Sequence, residues 1–117
     1  MIHSNELRIG NYLEYYNPTD DVGWQTTQAD WQDIRLCHEQ NESFNLENRP
    51  IPLTEEWLLK FGLSKENGYP YKFNKGYLKI RNGVFFFKYH DIEVDLPFVH
   101  QLQNLNFALT GVELHVS

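Results

Sequence analysis

The chain has 117 residues, a length that fits one domain over residues 1–117 and is long enough to bury a core without a disulfide or a metal. Its net charge of −6 argues against a general nucleic-acid coat, and Cys37 is the only cysteine, so no intramolecular disulfide can form. No apolar stretch approaches the ~20 residues of a membrane helix, and Met1 to Glu6 carry no apolar targeting core, so the expectation is a cytoplasmic protein with no membrane contact.

Leu7 to Tyr16 reads as a strand in which Leu7, Ile9 and Tyr12 alternate around Gly10, a position that suggests a bulge or a close backbone approach. Asn17 to Asp21 is a turn cluster, and Gly23 to Thr26 a short second strand. Asp30 is a natural N-cap for a helix to about Gln40, with Trp31, Ile34 and Cys37 at helical spacing. Asn41 to Arg49 reads as a polar connector. Pro50 to Leu53 is extended, because each proline pushes its predecessor out of the helical region. Thr54 then caps a short helix over 55–61. Glu55 and Glu56 sit at its positive end, Gly62 just past its other end, and Leu53 and Leu58 are placed for a hydrophobic staple.

The stretch 69–96 predicts an antiparallel four-stranded meander. Asn82-Gly83 is a hairpin signal that sets Arg81 opposite Val84, Ile80 opposite Phe85, Lys79 opposite Phe86 and Leu78 opposite Phe87. Two-residue turns at Lys75-Gly76 and His90-Asp91 then set Phe73 opposite Leu78, Tyr71 opposite Ile80, Phe87 opposite Val94 and Phe85 opposite Leu96. All of these pairings agree on one buried face: Tyr69, Tyr71, Phe73, Leu78, Ile80, Phe85, Phe87, Val94 and Leu96. A helix over 97–110 follows, with Pro97 at its first position, Gly111 past its end and a stripe of Phe98, Leu102, Leu105 and Leu109, placed to cover that face. Val112 to Val116 alternates like a last strand. The fold class is α+β.

Charge is unevenly spread. Residues 1–63 carry −7, residues 64–90 carry +5 and residues 91–117 carry −4. The basic segment coincides with the meander, whose second face would carry Lys72, Tyr77, Lys79, Arg81, Phe86, Lys88, Glu93 and Asp95. In this register Lys72 opposes Lys79, a mildly destabilising like-charge pair, and Lys88 opposes Glu93. Lys72, Lys79, Arg81, Phe86 and Lys88 form a candidate ligand site, where cations hold a phosphate and the ring stacks a base. The plain alternative is a solvated sheet face whose lysines discourage aggregation. The long helix carries an uncharged polar face, including His100, Gln101 and Asn104, which either contacts a partner protein or lies buried against polar backbone.

Catalytic and metal chemistry lack a pattern. The histidines His3, His38, His90, His100 and His115 are scattered, and adjacent Cys37 and His38 point apart on a helix, so neither a metal nor a cofactor is expected. The carboxylate pairs Asp20-Asp21 and Glu55-Glu56 fit a turn and a helix start. The expectation is a binding protein rather than an enzyme. Self-association through an unpaired edge strand near either terminus is a further expectation.

Three stretches, Glu6-Leu7-Arg8-Ile9-Gly10-Asn11-Tyr12, Pro50 through Gly62 (PIPLTEEWLLKFG) and Val99 through Gly111 (VHQLQNLNFALTG), together resemble a family of small uncharacterised proteins common in Bacteroidetes genomes, prophages and phages. The order and spacing match over nearly the whole chain, and relatives carry an aromatic where this chain has Asn106. The resemblance implies no activity and no functional residues. It implies a genomic setting, a phage or other mobile element, in which small accessory proteins act on host factors or host defence. The expected function is therefore an accessory protein that binds a host protein or sequesters a nucleotide signal. A nucleic-acid-binding accessory protein and a phage structural or assembly module are the alternatives.

Overall fold

A computed structural model describes residues 1–18, 23–66 and 69–116, with the side chains of Glu66, Tyr69 and Pro70 outside the description. Thr19, Asp20 and Asp21 of the expected turn, and the Tyr69 side chain of the expected buried face, lie outside the described residues. The class is α+β as expected, and the chain falls into two compact units, Met1–Ile51 and Pro52–Ser117.

The first unit holds a three-stranded antiparallel sheet in the order β2-β1-β3, built from β1 (Tyr12–Asn17), β2 (Gly23–Gln28) and β3 (Asn48–Arg49), with helices α1 (Trp31–Glu39) and α2 (Asn41–Glu47). The first strand starts at Tyr12, not Leu7. Gly10 takes φ +93°, where its N–H donates to the Ala29 carbonyl at 2.8 Å, and a residue in that conformation cannot continue a strand. Ile9 is accordingly exposed while Leu7 is buried. Asp30 caps α1 reciprocally with Asp33: each carboxylate accepts the other residue's backbone N–H at 3.0 Å. Ile34 packs against a core that includes Ile2, Leu13, Cys37 and Phe44, but Trp31 is exposed and is not part of the predicted face.

The expected connector at 41–49 is instead α2 and β3. Its asparagines supply what the local propensity lacks. The side-chain amides of Asn41, Asn45 and Asn48 donate to the carbonyls four residues earlier at 2.9 Å each. Asn45 also clasps the backbone of Ile2, accepting its N–H at 2.7 Å and donating to its carbonyl at 3.0 Å.

The second unit holds a five-stranded antiparallel sheet in sequence order: β4 (Lys65–Glu66), β5 (Tyr69–Phe73), β6 (Gly76–Arg81), β7 (Val84–Tyr89) and β8 (Ile92–Asp95). It also holds α3 (Glu55–Lys60) and α4 (Val99–Thr110). The meander extends by one strand, β4, beyond the four expected. The β6–β7 and β7–β8 registers match the sequence reading pair for pair, with Leu78 opposite Phe87, Phe87 opposite Val94, and Leu96 donating to the Phe85 carbonyl at 2.8 Å. The β5–β6 register differs by two residues. The turn is Asn74-Lys75, with Asn74 at φ +56°, so Tyr71 faces Leu78, Lys72 faces Tyr77 and Phe73 faces Gly76. A slip of two preserves which face each side chain takes, and it removes the expected confrontation of Lys72 with Lys79.

Tyr71, Phe73, Leu78, Phe85, Phe87 and Leu96 are buried as expected, but Ile80 is 61 % and Val94 38 % exposed. One helix, ~10 Å across, spans about two strands at ~4.8 Å spacing, so α4 leaves parts of a five-stranded sheet uncovered. α4 itself starts two residues later than predicted. Pro97 is extended, with its carbonyl accepting the Leu53 N–H at 2.9 Å beside a Pro52–Phe98 bridge, and Phe98 becomes the N-cap. The buried stripe of α4 is Val99, Leu102, Gln103 and Asn106 rather than Phe98, Leu102, Leu105 and Leu109. Asn106 donates to the Val112 carbonyl at 2.8 Å and accepts from Asn74 at 3.4 Å. The Val112 N–H donates to Thr110 Oγ1 at 3.0 Å, so the segment after Gly111 folds against the helix end and is not the expected strand.

α3 follows the sequence closely. Thr54 Oγ1 accepts the Trp57 N–H at 3.4 Å, and Gly62 takes φ +86° past the end. Its first residue, Glu55, accepts the Tyr71 hydroxyl proton and pairs with Lys65 at 3.1 Å. Burial, and then this bond, push the Tyr71 hydroxyl up to about 12, while the bond to Tyr71 and the pairing with Lys65 hold the Glu55 carboxyl below its ordinary range. Tyr71 is thus favoured protonated in the fold. Its contribution is complete below its ordinary value of 10 and is lost as pH climbs through about 12. Glu55 works in the opposite sense: its contribution is present above the ordinary carboxylate pKa and is lost on acidification. Thermal melts should therefore show Tyr71→Phe less stable than wild type near neutral pH. The gap should close as pH rises from 10 towards 12. A gap that stays constant over that window would rule out Tyr71 as the titrating group.

Candidate functional site

The hairpin turns set the site. Asn82 and Gly83, at φ +55° and +80°, close the β6–β7 hairpin as their sequence demands. From that register Tyr77, Lys79 and Arg81 of β6 stand on the face opposite the core, with Phe86 and Lys88 of β7. Tyr77 is directly opposite Lys88, and Lys79 is opposite Phe86.

The structure divides the five predicted ligand residues into two groups. Arg81 lies over the Phe86 ring, 4.3 Å from its centroid, and pairs with Glu93 at 3.1 Å and Asp95 at 3.7 Å. Phe86 beneath it is only 6 % exposed. The expectation that Phe86 offers an open stacking surface is therefore corrected, and Arg81 is committed to the acids of β8. Lys79 and Lys88 belong to the other group. They line a concavity of about 320 Å³ together with Lys75, Gly76, Tyr77, Tyr89 and His90. Lys72, exposed beside Tyr77 on the neighbouring strand, lies outside that lining.

The concavity gathers three ammonium groups and three rings. Among the described residues, Lys75, Lys79 and Lys88 make no ion pair. Lys79 is partly buried, so its charge stands in a less screened setting than a free surface lysine. The Tyr89 and His90 rings meet edge to face at 4.3 Å, with His90 at φ +54° in the turn to β8. The volume sits at the lower end of the range for small-ligand clefts. Lysines act as point charges on phosphate, and tyrosine faces accept a stacked heterocycle. The sequence reading missed Lys75, Tyr89 and His90. They sit in or beside the β5–β6 and β7–β8 turns, outside the strand pairings from which the candidate site was read.

The predicted partner surface on α4 is corrected at one position. His100 is 1 % exposed and its ring stacks with Phe98 at a centroid distance of 6.0 Å, so it is not a surface contact residue. Gln101 and Asn104 are half-buried, and the Gln101 side chain accepts the Phe98 N–H at 3.2 Å. Of the two readings of the amide-rich face, burial describes His100, Gln103 and Asn106.

Cys37 is buried, with its thiol pushed up by burial. Its Sγ lies 3.8 Å from the Ile2 carbonyl and 3.5 Å from the Asn41 amide. A protonated, enclosed thiol is a packing residue rather than a nucleophile. Among the described residues, no three or more His, Cys, Asp or Glu side chains are grouped to hold a metal ion, and no helix is long and apolar enough to cross a membrane.

Comparison with models of known families, with curated proteins and with solved structures finds no match.

Proposed function

We propose that this chain is a non-enzymatic binding protein that takes up a nucleotide in the concavity beside the β5–β6 and β7–β8 turns. The observation that carries the reading is the set of three lysines, Lys75, Lys79 and Lys88, that make no ion pair among the described residues, around an opening that also presents Tyr77, Tyr89 and His90. The lysines supply charge to phosphate oxygens, and a tyrosine face takes the base. The role proposed is capture of the nucleotide rather than its turnover. Taken with the resemblance to proteins of phages and prophages, capture of a nucleotide signal that serves host defence is the role proposed for it.

The test is native mass spectrometry of protein purified from cells, followed by identification of what denaturation releases. Calorimetric titration of the emptied protein with a panel of mono- and cyclic dinucleotides at low salt completes it. A released nucleotide, or saturable heat with one member of the panel, is the expected result. An empty protein that gives no heat with any nucleotide sinks the reading. Co-purification of a host protein instead would move the function to protein binding. A mobility shift on single-stranded DNA with a steep salt dependence would move it to nucleic acid.

A further inference from the structure

A second surface lies on the other face of the same sheet. α4 leaves open an apolar groove of about 560 Å³, lined by Phe87, Tyr89, Ile92 and Val94 from the sheet and by Leu105 and Leu109 from the helix. Ile92 is 58 % exposed there. The groove reaches the edge of the sheet, because β8 is the last strand in the order. Leu96 donates to the Phe85 carbonyl, and backbone direction alternates along a strand. Ile92 and Val94 therefore turn their N–H and carbonyl groups to β7, while Glu93 and Asp95 turn theirs outward. Among the described residues no strand pairs with that side. Such an edge is a template for another strand.

Charge decides what strand fits. Asp91, Glu93 and Asp95 recur at every second position, and Arg81 pairs with two of them, Glu93 and Asp95. In an antiparallel pairing of β8 with β8 of a second copy, any register that keeps Ile92 and Val94 on the groove side sets these acids against acids. Like charges directly opposite are destabilising.

We propose that β8 and its groove receive an extended segment of a partner protein in which apolar residues alternate with Lys or Arg. Its backbone pairs with Glu93 and Asp95, its apolar side chains enter the groove, and its cations face Glu93 and Asp95. This is strand addition, in which the backbone supplies affinity and the alternate side chains supply selectivity. The surface is separate from the lysine concavity, sharing only Lys75 and Tyr89 at its border, and the inference does not rest on nucleotide binding.

The test is a titration of the full ¹⁵N-labelled chain with two capped heptapeptides, Lys-Val-Arg-Leu-Lys-Val-Lys and Glu-Val-Glu-Leu-Glu-Val-Glu. The basic peptide should bind at least about tenfold tighter. It should also slow amide exchange at Glu93 and Asp95, which exchange freely without it. The variant Glu93→Lys with Asp95→Lys should reverse the preference. If that variant does not fold, the wild-type preference and the position of the protected amides decide. No saturable shift at millimolar peptide, equal binding of both peptides, or protection confined to other residues overturns the proposal. So does a dimer in sedimentation that Val94→Lys disperses, since the occupant would then be a second copy.

Discussion

Replacing Lys79 and Lys88 together by glutamate should weaken nucleotide binding by at least about a hundredfold while leaving the fold intact. The two ammonium groups share one concavity, and each charge-assisted contact to phosphate is worth ~1.5–3 kcal/mol, where ~1.4 kcal/mol is tenfold. Reversal adds repulsion to the lost attraction. The fold should tolerate the change because neither lysine makes an ion pair among the described residues and both side chains leave the sheet on the face opposite the core. Arg81→Glu is the informative contrast. It removes the cover of Phe86 and the pairs with Glu93 and Asp95, so it should lower stability and move affinity far less. Isothermal titration of both variants against the nucleotide identified from the purified protein separates the two roles, with circular dichroism melts as the control. Equal loss in the lysine pair and in Arg81→Glu would mean that the whole basic face acts as diffuse charge and that the concavity is not a site. An unchanged Kd in the lysine variant would place the ligand elsewhere.

What could be read from the residues depended on the range of the signal. Asn82-Gly83 determines its own turn through local φ preferences, so the register of β6 on β7 followed from two residues and held along five pairs. The β5–β6 turn has no such marker. Asn74, Lys75 and Gly76 all tolerate a turn, and a shift of two leaves the alternation of faces unchanged, so periodicity could not distinguish the choices. Exposure of Ile80 and Val94 was hidden for a different reason, because it depends on how much of the sheet one helix covers and not on the strands themselves. The buried stripe of α4 was displaced because Gln103 and Asn106 do core work with polar side chains, and an apolar count passes over them. The helix at 41–47 escaped because asparagines ordinarily compete with helix, whereas here the side chains of Asn41, Asn45 and Asn48 donate to the carbonyls four residues earlier. The candidate site was half legible. Lys79 and Lys88 followed from the hairpin, but the capping of Phe86 by Arg81 is a contact between side chains two positions apart on neighbouring strands, and no spacing rule announces it.

Gly76→Ala should be the most damaging alanine substitution among the described glycines of the second unit, costing about 3 kcal/mol and lowering the melting temperature by about 10–20 °C. Gly76 ends the β5–β6 turn opposite Phe73, and a Cβ placed on it would lie 2.4 Å from the Lys88 carbonyl oxygen and 2.7 Å from the Phe87 ring. The ring is held edge to face against Phe73 at 5.7 Å, so it has little room to withdraw. The carbonyl belongs to the β6–β7 ladder, where moving it disturbs the pairing of Tyr77 with Lys88. Two further variants isolate the cause. Gly83→Ala meets nothing within 4 Å and carries only the strain of φ +80°, about 1–2 kcal/mol, so it should be clearly milder. Phe87→Leu combined with Gly76→Ala removes the ring contact but not the carbonyl contact, so it should fail to restore the stability of Phe87→Leu alone. Full restoration would show that the ring was the whole obstacle, and a Gly76→Ala protein within about 0.5 kcal/mol of wild type would contradict the close approach altogether. Because Gly76 also lines the concavity beside Lys88 and Tyr89, any Gly76→Ala protein that does fold should bind nucleotide more weakly without a change in charge. Close packing at this glycine thus fixes the strand that carries Lys88, and the same methyl should be felt in both the melt and the titration.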